Sequence, residues 1–187
     1  MPIALAVVFG LCAVAMIGIM VYFSCIDTKT DLGSFERIIR FNDIWGTHRG
    51  FMWIRSIWIF GDASFIEKLF GVGPDMFYSA FSPYFDDLSK YGDSSTNAAH
   101  NEYLNYLITI GITGLLSYLA IVCGTIKNAV KYAKENPMLI ACVSAVICYA
   151  VQSVVNLYQP ITTPLFFIFI ALCEAFVRNA KAEKSAV

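Results

Sequence analysis

The chain has 187 residues, of which 58% are hydrophobic and only 14% charged, against about 25% charged in ordinary soluble domains. Its mean hydropathy is +0.63 and its formal net charge is -1, which removes any global electrostatic case for binding nucleic acid. Disorder and nucleic-acid recognition are excluded, and a membrane protein is indicated.

The first apolar run, Pro2 to Phe23, carries no charged residue and is long enough to cross a bilayer as a helix of roughly 20 residues. It lacks a basic start, and no small-x-small site follows in Tyr22-Phe23-Ser24-Cys25, so it reads as a transmembrane helix and not as a cleaved signal. Residues 24–101 are too polar to span. They lack the Pro, Gly and Ser bias of a flexible linker and are rich in aromatics, so they are expected to fold against the membrane as one large loop with short interfacial helices. The stretch RGFMWIRSIWIF, from Arg49 to Phe60, predicts such a helix, with Met52, Trp53, Ile57 and Phe60 as its apolar positions. Trp53 and Trp58 are expected at headgroup depth. Asp62-Ala-Ser-Phe predicts a cap before a short helix ending at Phe70, and Gly71-Val-Gly-Pro predicts a turn.

Three further runs, at about 103–126, 137–155 and 161–177, are apolar enough to span, and Glu174 is their only charged residue. A spanning segment must satisfy its backbone hydrogen bonds internally, so each is expected as a helix. Lys127, Lys131 and Lys134 mark the turn 127–136 as cytoplasmic, and Arg178, Lys181 and Lys184 do the same for the tail 178–187. The loop 24–101 then lies outside and both termini lie in the cytoplasm. The expected fold is all-α: a single membrane domain over 1–187, a polytopic integral membrane protein with about four transmembrane helices. The cysteines form no CxxC pair. Cys12, Cys123, Cys142, Cys148 and Cys173 lie in apolar runs and read as small buried side chains.

Two features of the outer loop could carry chemistry. Arg49 offers a planar fork of donors matched to phosphate oxygens, and it reads equally as an arginine snorkelling to lipid headgroups. Arg55 is a second basic contact on the same segment. His100 stands where a helix dipole disfavours the imidazolium. A neutral ring there could orient a hydroxyl nucleophile or take its proton, or could sit at the interface and cap a helix alongside Ser94, Ser95, Thr96 and Asn97. A metal site of His48, His100 and Glu102 lacks every familiar ligand spacing, and no GxSxG elbow supports a serine triad. Gly71-Val-Gly73 lacks the third glycine of a dinucleotide turn. Gln152, Ser153 and Asn156 form a polar patch at the outer end of the third span, either beside His100 or bonding helix to helix. Gly111 and Gly114 read as positions of close helix approach.

Taken in order, Arg49-x-x-x-Trp53, LFGVGPDMF from Leu69 to Phe77, and AHNEYLNYLITIGITGLLSYL from Ala99 to Leu119 resemble the C-terminal part of the bacterial O-antigen ligase and polymerase superfamily. The resemblance runs from about Gly46 to Leu119. It implies a glycosyltransferase of cell-envelope polysaccharide biosynthesis in the bacterial cytoplasmic (inner) membrane. Such an enzyme moves a glycan from a polyprenyl diphosphate carrier, undecaprenyl diphosphate, to an acceptor hydroxyl on the outer face, with no cofactor and no metal. By the same resemblance Arg49 and His100 are catalytic: Arg49 would hold the diphosphate, and His100 would position or deprotonate the acceptor. Arg55, Trp53 and Asn101 are the expected substrate-binding residues. The implied partners are a polyprenyl diphosphate-linked glycan, a glycan or lipid acceptor and membrane lipids. Family members carry many more spans, so the chain reads as a fragment whose N-terminal spans are missing. The competing expectation is a non-catalytic membrane subunit or remnant whose outer loop, acidic at Asp86, Asp87 and Asp93, binds a partner or lipid.

Overall fold

The computed structural model describes residues 2–134 and 136–185, with side chains from residue 10 onward. It is all-α, with no strand among the described residues. Helix α1, Pro2–Val21, continues into a π-helical turn, Tyr22–Ile26. It has no polar face, and Leu11, Val14 and Ile17 are each more than half exposed along it. A helix apolar on all sides needs an apolar surrounding. Arg40, just past the short helix α2 (Glu36–Ile39), ties this region together. It donates to the carbonyls of Phe23, Asp27 and Thr30 and pairs with Glu36 at 2.9 Å.

Helix α3 is assigned to Trp45–Asp62, but Gly46, Thr47 and His48 all have left-handed backbone, with φ of 57, 60 and 69°. The regular helix therefore starts at Arg49. Its inner face is Phe51, Met52 and Ser56, all buried, while Ile57 and Trp58 are exposed. Met52 is thus turned into protein and away from Ile57. The cause is the packing of α5 (Phe77–Phe81) and α6 (Phe85–Ser89) beneath it: Phe51, Met52, Phe77, Phe81, Leu88, Ala99 and Ile108 form one core within the loop. Helix α4, Phe65–Phe70, starts on a capping box at Ser64, whose hydroxyl accepts from Glu67 N while Glu67 accepts from Ser64 N. Within the stretch Asp62-Ala-Ser-Phe expected to cap this helix, Ser64 is the capping residue and Asp62 is the last residue of α3.

The run expected as one helix over 103–126 is two helices, α7 (Glu102–Thr109) and α8 (Gly111–Tyr132). The Gly71 turn enters the break between them. Val72 N donates to Ile108 O at 2.9 Å, Gly73 N to Thr109 O at 3.0 Å, and Thr113 Oγ1 to Leu69 O at 2.7 Å. Gly71 (φ +76°) and Gly111 (φ +69°) make this contact possible: a Cβ on Gly71 would lie 2.3 Å from the carbonyl of Thr109, and one on Gly111 2.4 Å from that of Leu69. The glycine turn and the glycine-bearing helix, far apart in sequence, are one docking element.

Helices α8, α9 (Met138–Gln152) and α10 (Thr162–Ser185) pack into a three-helix bundle. One layer of its core is Ala129, Leu139, Cys142, Val143, Cys173 and Val177; the other is Tyr118, Val122, Val146 and Phe166. Only Cys142 and Cys173 are buried, whereas Cys12, Cys25, Cys123 and Cys148 are exposed, so the expectation of buried cysteines holds for two positions. Helix α8 runs on through Lys127 and Lys131, which shortens the turn to α9. Among the described residues α8 is the helix long and apolar enough to cross a bilayer by itself; Gly10–Ile26 and α9 are apolar but shorter. The outward positions Leu116, Ile121, Ile140, Val151, Leu165 and Ile168 are all exposed and apolar.

Candidate functional site

Arg49 and His100 stand 51 positions apart in the outer loop, and both follow from unusual backbone. The left-handed triplet Gly46-Thr47-His48 turns the chain so that Arg49 opens the regular helix. His100 itself has φ of 51°, in a region that costs a non-glycine residue conformational energy. Asn101 then caps α7, its side chain accepting from Leu104 N at 3.0 Å. Left-handed backbone at Thr47 and His48, just before Arg49, and at His100 itself is stored strain, which surrounding structure must enforce.

The guanidinium of Arg49 donates to Gly46 O at 3.4 Å, and no carboxylate pairs with it among the described residues. The neighbouring arginines differ. Arg40 is enclosed by three carbonyls and Glu36. Arg55 is gripped by both oxygens of Asp43 and lies over the rings of Phe51 and Trp58, 4.1 and 4.8 Å from their centroids. Half-buried Arg49 is thus left with a fork of donors to spare.

His100 lines a cavity of about 420 Å³, together with Met52, Tyr78, Leu88, Asp93 and Asn97. Burial, and after it the Arg49 charge, lowers the imidazole pKa below its ordinary value, while Asp93 acts in the opposite sense. The shift favours the neutral ring at physiological pH. Ser95 and Thr96 also line this cavity, and the cap of α7 is Asn101.

The other expected site residues each hold contacts within the fold. Trp53 packs in an aromatic cluster, its ring 5.0 Å from Trp45 and 6.0 Å from Phe41. Asn101 is buried as a cap, and Arg55 is committed to Asp43. The His48 ring lies tilted against Tyr91, 4.8 Å between centroids, and it forms no metal-holding group with His100 and Glu102 among the described residues. Glu102, weighed from the sequence only as a metal ligand, is fully buried and accepts from Tyr106, Tyr149 and Ser153 at 2.9, 3.1 and 2.9 Å. Its backbone N–H donates to Ser153 O. The polar patch at Ser153 thus bonds helix to helix, and it anchors the residues that follow His100. Asp93, Tyr78 and Asn97 were not singled out in the sequence as cavity residues, because nothing in local spacing announces which loop positions converge.

An arginine with no carboxylate partner among the described residues and a histidine lining a polar cavity thus stand on an all-α scaffold that includes an apolar helix of bilayer length. A family profile described as O-Antigen ligase matches residues 2–119, and the chain belongs to that family. At family level this places it among ligase- or polymerase-type glycosyltransferases of polysaccharide biosynthesis, which are inner-membrane proteins. No curated protein and no solved structure matches the chain.

Proposed function

We propose that this protein transfers a glycan from a polyprenyl diphosphate carrier to an acceptor hydroxyl at the outer face of the inner membrane. In this reading the chain crosses the bilayer several times with both termini in the cytoplasm, and the loop 24–101 faces outward. The observation that carries the reading is the half-buried, carboxylate-free Arg49 whose charge bears on a neutral His100. His100 takes the proton of the acceptor hydroxyl as its oxygen attacks the anomeric carbon. The bond from that carbon to the diphosphate oxygen breaks, and the polyprenyl diphosphate leaves with the electron pair. Arg49 stabilises the negative charge that grows on the leaving group. Arg55, Trp53 and Asn101 hold the site in place: Arg55 through Asp43, Trp53 through its aromatic cluster, and Asn101 by ending the strained turn at His100.

The test is glycan transfer from undecaprenyl diphosphate-linked donor in membranes carrying the protein in its full-length context. Arg49→Ala and His100→Ala are each expected to slow transfer by about 10²-fold or more. Unchanged transfer in both variants, with normal expression and insertion, overturns the reading.

A further inference from the structure

A second cavity, of about 340 Å³, is lined among others by Asp75, Asn105, Tyr106, Tyr158 and Thr163. Its volume is within the range of small-molecule sites. Asn105 is only 6% exposed, and its Oδ1 has no hydrogen-bond partner. A buried acceptor without a partner is costly and rare, so an external donor that reaches it is favoured. Asp75 stands at the rim with φ of 59°, held by Tyr158, whose hydroxyl donates to Asp75 Oδ1 at 3.3 Å. The docking of the Gly71 turn on Thr109 carries Pro74 and Asp75 to this place.

The lining offers acceptors and ring faces, and it contains no lysine, arginine or histidine. Such a set suits a neutral molecule rich in hydroxyl donors with an apolar C–H face, and it disfavours a phosphate. Asn97 lines both the His100 cavity and a smaller one of about 210 Å³, and Tyr158 lines that smaller cavity and this one. The three cavities are therefore neighbours along one side of the molecule.

We propose that the Asn105 cavity is a sugar-binding subsite, which takes a neutral pyranose unit of the glycan away from the bond being formed at His100. Its role in transfer rests on the glycan-transfer reading above, but its chemistry does not. Asp75 and Asn105 accept from ring hydroxyls, and the Tyr106 and Tyr158 rings cover the C–H face.

The experiment is saturation-transfer NMR on the full chain in lipid nanodiscs, with galactose, N-acetylglucosamine and rhamnose as probes. At least one sugar is expected to receive saturation from the wild type. Asp75→Asn, which keeps a residue tolerant of positive φ, and Asn105→Leu are each expected to weaken binding by about fivefold or more. Asp75 is exposed, so its variant reads binding even where Asn105→Leu misfolds. Arg49→Ala and His100→Ala are expected to keep the sugar signal. The subsite is refuted by absence of saturation for all three sugars, by wild-type binding in Asp75→Asn, or by loss of the signal in His100→Ala alone. Persistent glycan transfer in Arg49→Ala and His100→Ala would overturn the transfer reading, whereas the sugar signal and its loss in Asp75→Asn decide the subsite separately.

Discussion

Replacing Gly71 by alanine should undock the glycine turn from the α7–α8 break. The new Cβ would stand 2.3 Å from the carbonyl carbon and oxygen of Thr109 and 2.4 Å from Ile110 N, all backbone atoms that cannot rotate aside. Alanine also opposes the local backbone, φ +76° with ψ 178°, a region populated essentially by glycine, at a cost of about 1–2 kcal/mol. Separation of the two segments breaks the bonds Val72 N to Ile108 O and Gly73 N to Thr109 O, each worth about 1 kcal/mol. The total is about 3–4 kcal/mol, a large share of the roughly 5–15 kcal/mol that holds a domain folded. For a chain of this size that corresponds to a melting temperature lower by about 6–16 °C. The assay is thermal unfolding of the detergent-solubilised protein followed by far-ultraviolet circular dichroism. Gly61→Ala is the control, since a Cβ there meets nothing within 4 Å, and alanine raises helix propensity. Gly111→Ala should cost a similar amount, and the double variant should cost much less than the sum, because the docking is lost only once. A Gly71→Ala protein melting within about 2 °C of wild type would refute the reasoning, since the smallest effect expected is several degrees.

Three further predictions concern charge and burial. In an NMR titration, with His48→Phe separating the two histidine signals, His100 should show a pKa below 6.5; Arg49→Met should raise it, but not to 6.5, because burial is the larger cause and remains. The sign for stability follows: the unfolded chain binds this proton first as pH falls, so His100 withdraws stability through the window from 6.5 down to its folded pKa and costs nothing above it. Arg55→Ala should lower stability by about 2 kcal/mol, through loss of the paired hydrogen bonds to Asp43 and of the contacts with Phe51 and Trp58. A double-mutant cycle with Asp43→Ala should return a coupling of about 1 kcal/mol or more, and additive effects would refute the pairing. Glu102→Leu should cost about 2 kcal/mol or more by stranding the hydroxyls of Tyr106 and Ser153, while that of Tyr149 keeps Thr163 Oγ1 at 2.7 Å. Denaturation equal to wild type would show that these hydroxyls find other acceptors.

Much of the local structure could be read directly. The helical runs, the turn at Gly71 and the short helix ending at Phe70 all follow from apolar length, glycine placement and capping chemistry. Within Asp62-Ala-Ser-Phe both Asp62 and Ser64 are good caps, and the capping box with Glu67 selects Ser64. The misreadings lie elsewhere. Residues 103–126 look like one uninterrupted helix because glycine is tolerated inside apolar helices. The break at Ile110 and Gly111 is enforced from outside, by a turn some forty residues earlier. Met52 and Trp53 look like lipid-facing positions until α5 and α6 bury one and the aromatic cluster takes the other.

The candidate site divides in the same way. His100 and Arg49 stood out by residue type and motif, whereas Asp75 and Asn105 gave no signal, since a single polar residue in a turn or a helix is ordinary until the fold shows what surrounds it. Arginine is equally ambiguous in sequence: Arg49 and Arg55 sit six positions apart on one helix, and only the position of Asp43 distinguishes the committed guanidinium from the spare one.

By itself the sequence determined that this chain is helical, apolar and a member of the O-antigen ligase family, because composition, run length and motif order are properties of the chain alone. Tertiary structure decided which arginine is left unpaired, where the long apolar run breaks, and which polar side chains converge on the cavities. Those depend on distances between residues tens of positions apart, and close packing, backbone approach at two glycines and the pairing of buried polar groups set such distances only when the chain has folded.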